Sequence, residues 1–317
     1  MREFVILCVS VCLAATALSI AAGVLTTQLI WACISQIGLN RSILRYPSLL
    51  FVIRTLPFSF PVGIVSFAVL PSFVVLEPRQ TTERPDWWLA ALAMCSLFAL
   101  GFFTVKLAQT LIRTWRTERE WIQFARRIDV PAEVPVYELQ NPDSLVAVLG
   151  VFSPRIFVGK RILASLTLDE FKAAVAHEVA HVRSLDNLKQ ALLSATGLFS
   201  LFRPIDRAFR SSAEISADSQ AMRSRISPLD LGSAIVKVAR LRAAVPSIAA
   251  SHLVPDFDGS ALQLRVDHLQ ALLQNEKSQS RGEKYGWLIA AMLLIIYLGK
   301  LHLWLALAHR LTEMLVR

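Results

Sequence analysis

Apolar residues fall in long unbroken runs in the first third of the chain and mostly at helical spacing after it. Phe4–Ile37 is apolar apart from small hydroxyls and two glutamines. Leu56–Leu76 is apolar but carries Pro57, Pro61 and Pro71, and Trp87–Ile112 is apolar until Lys106. A further run, Trp287–Ala308, is interrupted by Lys300 and His302. Each reaches the roughly 20 residues that cross a bilayer as a helix, so about four transmembrane helices are predicted, near 4–37, 56–76, 87–112 and 287–308. The first run is too long, and the segment before it too weakly basic, for a typical cleaved signal peptide. Prolines in the second run are tolerable in a membrane when neighbours satisfy the carbonyls they free.

Residues 113–285 form the one stretch with the mixed patterning of a water-soluble domain. Trp115, Trp121, Ile122 and Phe124 extend the third helix until Pro131 and Pro135 stop it. Val134–Leu139, Leu145–Leu149 and Arg155–Val158 are short apolar runs split by "QNPDS" and "GVFSP", which predict a small antiparallel sheet. Helices follow. Thr167 with Glu170 three residues later is a capping-box pattern, and Phe171, Ala174, Val175, Val179 and Val182 continue it at helical spacing. Further helices are expected over Asn187–Phe202, Arg207–Arg223, from Pro228 through Leu241, and over Gly259–Gln274. The polar run Asn275–Lys284 reads as a linker into the last membrane segment. The division expected is 1–112 membrane region, 113–285 soluble domain, and 286–317 final helix and tail.

Composition agrees: 54% of the 317 residues are hydrophobic and 18% charged, against about 25% charged in ordinary soluble domains. A net charge of +9 would suit nucleic acid, yet the basic residues bracket the membrane runs, and no zinc-knuckle or RNP-like pattern is present. No direct nucleic-acid partner is expected. Arg41, Arg45 and Arg54 follow the first run without acids, and Arg113, Arg116, Arg119, Arg126 and Arg127 follow the third. Arg79 and Arg84, after the second, are diluted by Glu77, Glu83 and Asp86. The positive-inside rule then puts the N-terminus outside and residues 113–285 in the cytoplasm, in a multi-pass protein of a bacterial-type inner (cell) membrane. The four cysteines, Cys8, Cys12, Cys33 and Cys95, all lie in membrane runs, so neither a disulfide scaffold nor a cysteine metal ligand is expected.

The chemistry concentrates in "AVAHEVAHVRSLDN", residues 174–187. On a helix His177 and His181 lie one turn apart on one face, where both imidazoles reach one metal ion. Glu178 is about 100° round from His177, within reach of the attacking water; this is the mechanical content of H-E-x-x-H. A hydrolytic zinc takes three protein ligands. The best placed third ligand is Glu214 in "SAEISADSQAM", with His252, His268 and other acids as alternatives. Asp218, one turn beyond Glu214, is suited to accept the free ring N–H of a ligating histidine. Asp186 and Asn187 read chiefly as a helix cap near Leu188.

These residues resemble a known group. "GVFSPRIFVGKRILASLTLDEFKAAVAHEVAHVRSLDN" is similar to the core of the BlaR/MecR-type antirepressor membrane metallopeptidases. "EISAD" resembles the E-x-x-x-D element shared with the HtpX and CaaX-processing enzymes. The resemblance implies a mostly α, polytopic membrane protein carrying an α+β, zincin-like metallopeptidase domain. It implies one Zn2+ per chain held by His177, His181 and Glu214, with Glu178 as catalytic base. It also implies a signal-activated endopeptidase that cleaves a cytosolic repressor. The sensors of that group continue into an extracellular penicillin-binding domain, whereas this sequence stops at Arg317. The expected signal therefore comes through the membrane helices, the bilayer or a regulatory partner. Two rival readings are an HtpX-like quality-control protease and a non-catalytic signalling scaffold with a structural metal, which would have no use for Glu178. The strand Arg155–Val158, if at a sheet edge, would hold an extended substrate by main-chain pairing. The sequence does not single out the group that stabilises the oxyanion; His252, His268 and the arginines are candidates.

Overall fold

A computed structural model describes residues 2–38, 44–78, 85–140, 145–197, 200–223, 226–243, 259–274 and 301–316. The chain divides into two compact units, Met1–Cys33 with Ile53–Thr104 and Lys277–Arg317, and Ile34–Val52 with Val105–Glu276.

Three helices are long and apolar enough to cross a membrane: α1 (Arg2–Gln36), α2 (Pro47–Leu76) and α3 (Trp87–Gln123). The chain is thus a multi-pass membrane protein by length and composition. Most of the expected fourth run, Trp287–Ala308, lies outside the described residues, although a helix, here α10, covers Leu301–Val316. Helix α2 starts earlier than the apolar run predicts, so Arg54 is a buried helical residue rather than part of a basic connection. Pro57 and Pro61 lie inside this helix, and a π turn follows at Val65–Val69. Pro57 has no N–H for the carbonyl of Ile53, one turn back. The Thr27 hydroxyl of α1 donates to that carbonyl instead, at 3.2 Å. Nearby, a Cβ on Gly23 would sit 2.7 Å from Pro57 Cα, so only glycine admits this close approach of α1 and α2. Leu7, Val11 and Ala14 pack with Val69, Phe73 and Leu89 to form the apolar centre of the unit.

In the second unit α3 stops at Gln123, short of the prolines expected to end it. The chain then forms β1 (Ala125–Ile128), β2 (Val136–Leu139), β3 (Val146–Leu149) and β4 (Arg155–Gly159). Among the described residues these make one sheet in the order β1-β2-β4-β3. The sheet is mixed, not antiparallel: β2 pairs with β4 in parallel, Val136 opposite Ile156, while β1–β2 and β3–β4 are antiparallel. Strand β4 is therefore interior and cannot hold a substrate along its edge. Its sequence explains this: Ile156, Phe157 and Val158 are all buried, which requires cover on both faces. Ile156 and Val158 face a core with Phe171, Val175 and Val179, whereas Phe157 packs with Leu139 and Leu149 beside Trp121 and Tyr137. Arg155 pairs with Glu118 of α3.

The remaining elements of this unit are helical: α4 (Lys160–Ser165), α5 (Leu168–Arg183), α6 (Asp186–Ala195), α7 (Arg203–Arg223), α8 (Pro228–Ala243) and α9 (Gly259–Gln274). Helix α5 carries the H-E-x-x-H residues and lies between the sheet on one side and α7 to α9 on the other. Ala173 of α5 packs with Ala221, Leu231 and Leu269 of those three helices. The expected capping box is present, with both the Thr167–Glu170 bonds made.

Candidate active site

Helix α5 presents His177 and His181 one turn apart, and α7 presents Glu214 and Asp218 opposite them. The Nε2 atoms of the two imidazoles are 3.1 Å apart. Glu214 Oε2 lies 3.4 Å from His177 Nε2, and its Oε1 lies 3.6 Å from His181 Nε2. The far nitrogens face carboxylates. Asp218 Oδ1 is 2.9 Å from His177 Nδ1, and Asp186 Oδ2 is 2.7 Å from His181 Nδ1. The hydrogen bond to Asp186 puts the ring hydrogen of His181 on Nδ1, whereas Asp218 is at ion-pair distance from His177 Nδ1 without closing a hydrogen bond; both rings turn Nε2 toward one another.

Two Nε2 atoms that both carry lone pairs have no partner in each other; beyond the Arg265 Nη2 at 3.5 Å from His177 Nε2, they are placed to share a cation. One ligand atom each from His177, His181 and Glu214 lies within 4.8 Å of the others, so the three residues can hold a metal ion. Tetrahedral bonds of about 2.0–2.1 Å to zinc would separate neighbouring ligand atoms by roughly 3.3–3.4 Å. The observed spacings bracket that value, and the donor set of two imidazoles and a carboxylate suits zinc.

The electrostatics without a metal show the same demand for positive charge. Burial and the Arg265 guanidinium act against a charged His177, yet Asp218 and Glu214 outweigh them and hold its pKa up at about 10. Burial likewise opposes a charged His181, and Asp186 and Glu214 prevail, so its pKa is raised. Burial would raise the Asp218 carboxyl, but Arg265 and His177 hold it down at about 2. Glu214 is held well below the usual carboxylate range against its burial, by Arg265 and then by the two histidines.

Asp186 reaches His181 because the backbone turns sharply between α5 and α6. Leu185 takes a left-handed conformation, φ 55°, which a leucine adopts only under tertiary constraint. The turn folds Asp186 back over the last turn of α5. The next residue, Asn187, donates to the carbonyls of Val148 and Gly150 and so fixes this junction to β3. Gly150 has φ +95°, and a Cβ there would lie 2.5 Å from Ser153 O, so this turn requires glycine. Reading Asp186 as a cap misses its contact with the histidine; the signal available was its position just past the last turn of the motif helix.

Sequence reasoning also leaves Arg265 unnamed. From α9 it donates to Asp218 through Nε at 2.8 Å and Nη2 at 2.7 Å, and its Nη1 forms an ion pair with Glu214 Oε2 at 2.8 Å. It therefore locks the carboxylate that orients His177. A charge on the stripe formed by Leu262 and Leu269 was the available signal. His268 is not among the converging ligands; its Nε2 lies 2.8 Å from Ser219 Oγ. His252 falls outside the described residues. Glu178 is half-buried and, among the described residues, makes no hydrogen bond or ion pair, while its charge acts on His181 and Arg265.

Residues 112–252 match the model of peptidase family M48. That segment holds the sheet, both histidines and the α7 carboxylates, though Arg265 lies beyond it. M48 peptidases are metal-dependent, typically with zinc, and include the BlaR/MecR-type and HtpX proteases. The match agrees with the resemblance carried by the motif residues. No curated protein matches the chain. The M48 segment and the three apolar helices together describe a membrane-associated metallopeptidase.

Proposed function

We propose that the chain is a zinc endopeptidase of the inner membrane that cleaves a cytosolic repressor or other regulatory protein. One observation carries the reading: two histidines and a glutamate converge on one point, with each histidine braced from behind by its own carboxylate. A structural metal would not need the adjoining glutamate. Zinc at His177, His181 and Glu214 would supply Lewis acidity to the scissile carbonyl and to the attacking water. Glu178 takes the proton of that water and returns it to the leaving amine. Asp218 and Asp186 aim both Nε2 atoms at one point and raise their basicity as ligands, and Arg265 keeps Asp218 in place.

The decisive experiment uses Glu178→Gln in the full-length chain. Hydrolysis should fall by roughly 10²–10⁴-fold, the usual worth of a general base, with metal content unchanged. Retained turnover, or loss of the metal, would sink the assignment. Proteins trapped by this variant also separate a regulatory substrate from the misfolded membrane proteins expected of an HtpX-type quality-control enzyme, a role the family match accommodates equally.

The cytosolic placement is tested separately. In a variant without the native cysteines, a cysteine at Gln80 should react with an impermeant reagent in intact cells, and one at Ser280 only after permeabilisation. The reverse pattern would put the catalytic domain outside and exclude a cytosolic substrate.

A further inference from the structure

Away from the histidines, the second unit forms a cavity of about 620 Å³, open to the surface, between α3, β3, α6 and α7. Four basic side chains line it, Lys106, Arg113, Arg203 and Arg210, against one acid, Asp206. Among the described residues Arg113, Arg203 and Arg210 make no hydrogen bond or ion pair. Guanidinium groups present forked N–H donors that match phosphate oxygens. Leu149, Leu193 and Phe209 supply an apolar part of the wall.

The position of the cavity along α3 indicates what fills it. Residues 87–105 carry no charge. At about 1.5 Å per residue they span roughly 28 Å, close to the roughly 30 Å hydrocarbon thickness of a bilayer. Lys106 is the first charge after that stretch, and Arg113 lies two turns further. The α3 wall thus begins at the depth where a spanning helix meets lipid headgroups. Simple positive flanking charge would sit on one loop or helix end. Here the cations come from two helices far apart in sequence and converge on a single cavity that also has an apolar part.

We propose that this cavity binds the phosphate headgroup of an anionic phospholipid, with its glycerol and upper acyl carbons against the apolar wall. The size falls within the range of ordinary ligand sites, about 300–1,000 Å³, and basic pockets beside membrane helices are suited to such headgroups. The inference is independent of the proposed peptidase activity, since none of the residues it uses holds or positions the metal ligands.

The test uses the full-length chain in neutral detergent. Binding of phosphatidylglycerol, phosphatidylcholine and inorganic phosphate is followed by native mass spectrometry and by the shift in melting temperature. Wild type should retain one phosphatidylglycerol saturably and show no saturable phosphatidylcholine. The variant Arg113→Gln/Arg203→Gln/Arg210→Gln should bind the anionic lipid roughly 100-fold more weakly, on the basis of roughly fivefold per arginine. A control with equal charge removed, Arg116→Gln/Arg126→Gln/Arg127→Gln, should bind as wild type does. Equal losses in the two triple variants would reduce the effect to diffuse attraction and overturn the site. Saturable phosphatidylcholine would also overturn it. Inorganic phosphate binding as tightly as phosphatidylglycerol, with the same sensitivity to the cavity arginines, would identify a soluble anion and overturn the lipid assignment. If the triple variant does not fold, the single change at the exposed Arg203, Arg203→Gln, should still give the roughly fivefold loss, and wild-type affinity there would refute the proposal.

Discussion

Helix α5 is held by buried ionic groups near both ends, and the two clusters differ in a way that separates structure from chemistry. Near its start, Glu170 accepts from Ser233 at Oε1 and from Lys237 and the Thr167 amide at Oε2. One carboxylate meets one ammonium, and both oxygens are used. Near its end, Glu214, Asp218 and Asp186 gather round two imidazoles with Arg265 as the cation among them. Three carboxylates outnumber the Arg265 guanidinium and the Lys189 ammonium, 3.7 Å from Asp186 Oδ1, and two imidazole Nε2 atoms face each other at 3.1 Å. A cluster that only holds the fold is free to balance its charges and close its hydrogen bonds. One that leaves lone pairs converging and negative charge in excess is arranged for an ion that is not part of the chain.

The sharpest way to break this contrast is to remove the carboxylate that joins the lone pairs. Glu214→Ala should abolish stoichiometric metal binding, because it deletes one of three protein ligands, and activity should vanish with it. Metal analysis of the purified protein decides the point. Full retention of metal would move the third ligand elsewhere, with His252 next to test. By the same comparison, Glu170→Gln at the other end should leave metal content unchanged.

Asp218→Asn and Asp186→Asn should each weaken metal affinity by roughly 10- to 100-fold, the usual cost of losing a carboxylate behind a ligating histidine. Competition with a chelator of known affinity measures it. The Asp186 result is the more informative, since it asks whether the left-handed turn at Leu185 serves the histidine or only joins two helices. Unchanged affinity in Asp186→Asn would leave that residue a purely structural one.

Much of this was legible from local spacing. The capping box, the two histidines and the pair Glu214 and Asp218 all follow from intervals of three or four residues on single helices. The starts of α8 and α9, at Pro228 and Gly259, were legible from those residues. What was not legible depends on contacts between distant segments. "ARRI" has no strand-like alternation, and β1 exists because Ala125–Ile128 pairs with Val136–Leu139. The parallel pairing of β2 with β4 skips over β3, so a reading that pairs neighbours in turn predicts the wrong sheet. Arg265 becomes part of the site only when α9 packs against α7.

The smallest effect lies at the closed end. Glu170 has its pKa lowered to about 2, first by the hydrogen bond from Lys237 and then by those from Ser233 and the Thr167 amide. A folded-state value below the unfolded one, near 4.3, means that the fold favours the ionised carboxyl. That contribution is complete above the unfolded pKa and disappears as the pH falls through the interval down to about 2. Glu170→Gln should therefore destabilise the protein at pH 6 by about 1.5–3 kcal/mol, the range for hydrogen bonds to a charged group. The gap between wild type and variant should narrow steadily as the pH drops from about 4.3 toward 2. Melting temperatures of the two proteins, measured over that interval in one detergent, test both statements. A gap that stays constant with pH would mean that Glu170 acts through shape and packing, and the contrast between a charge-balanced anchor and an ion-seeking site would lose one of its two sides.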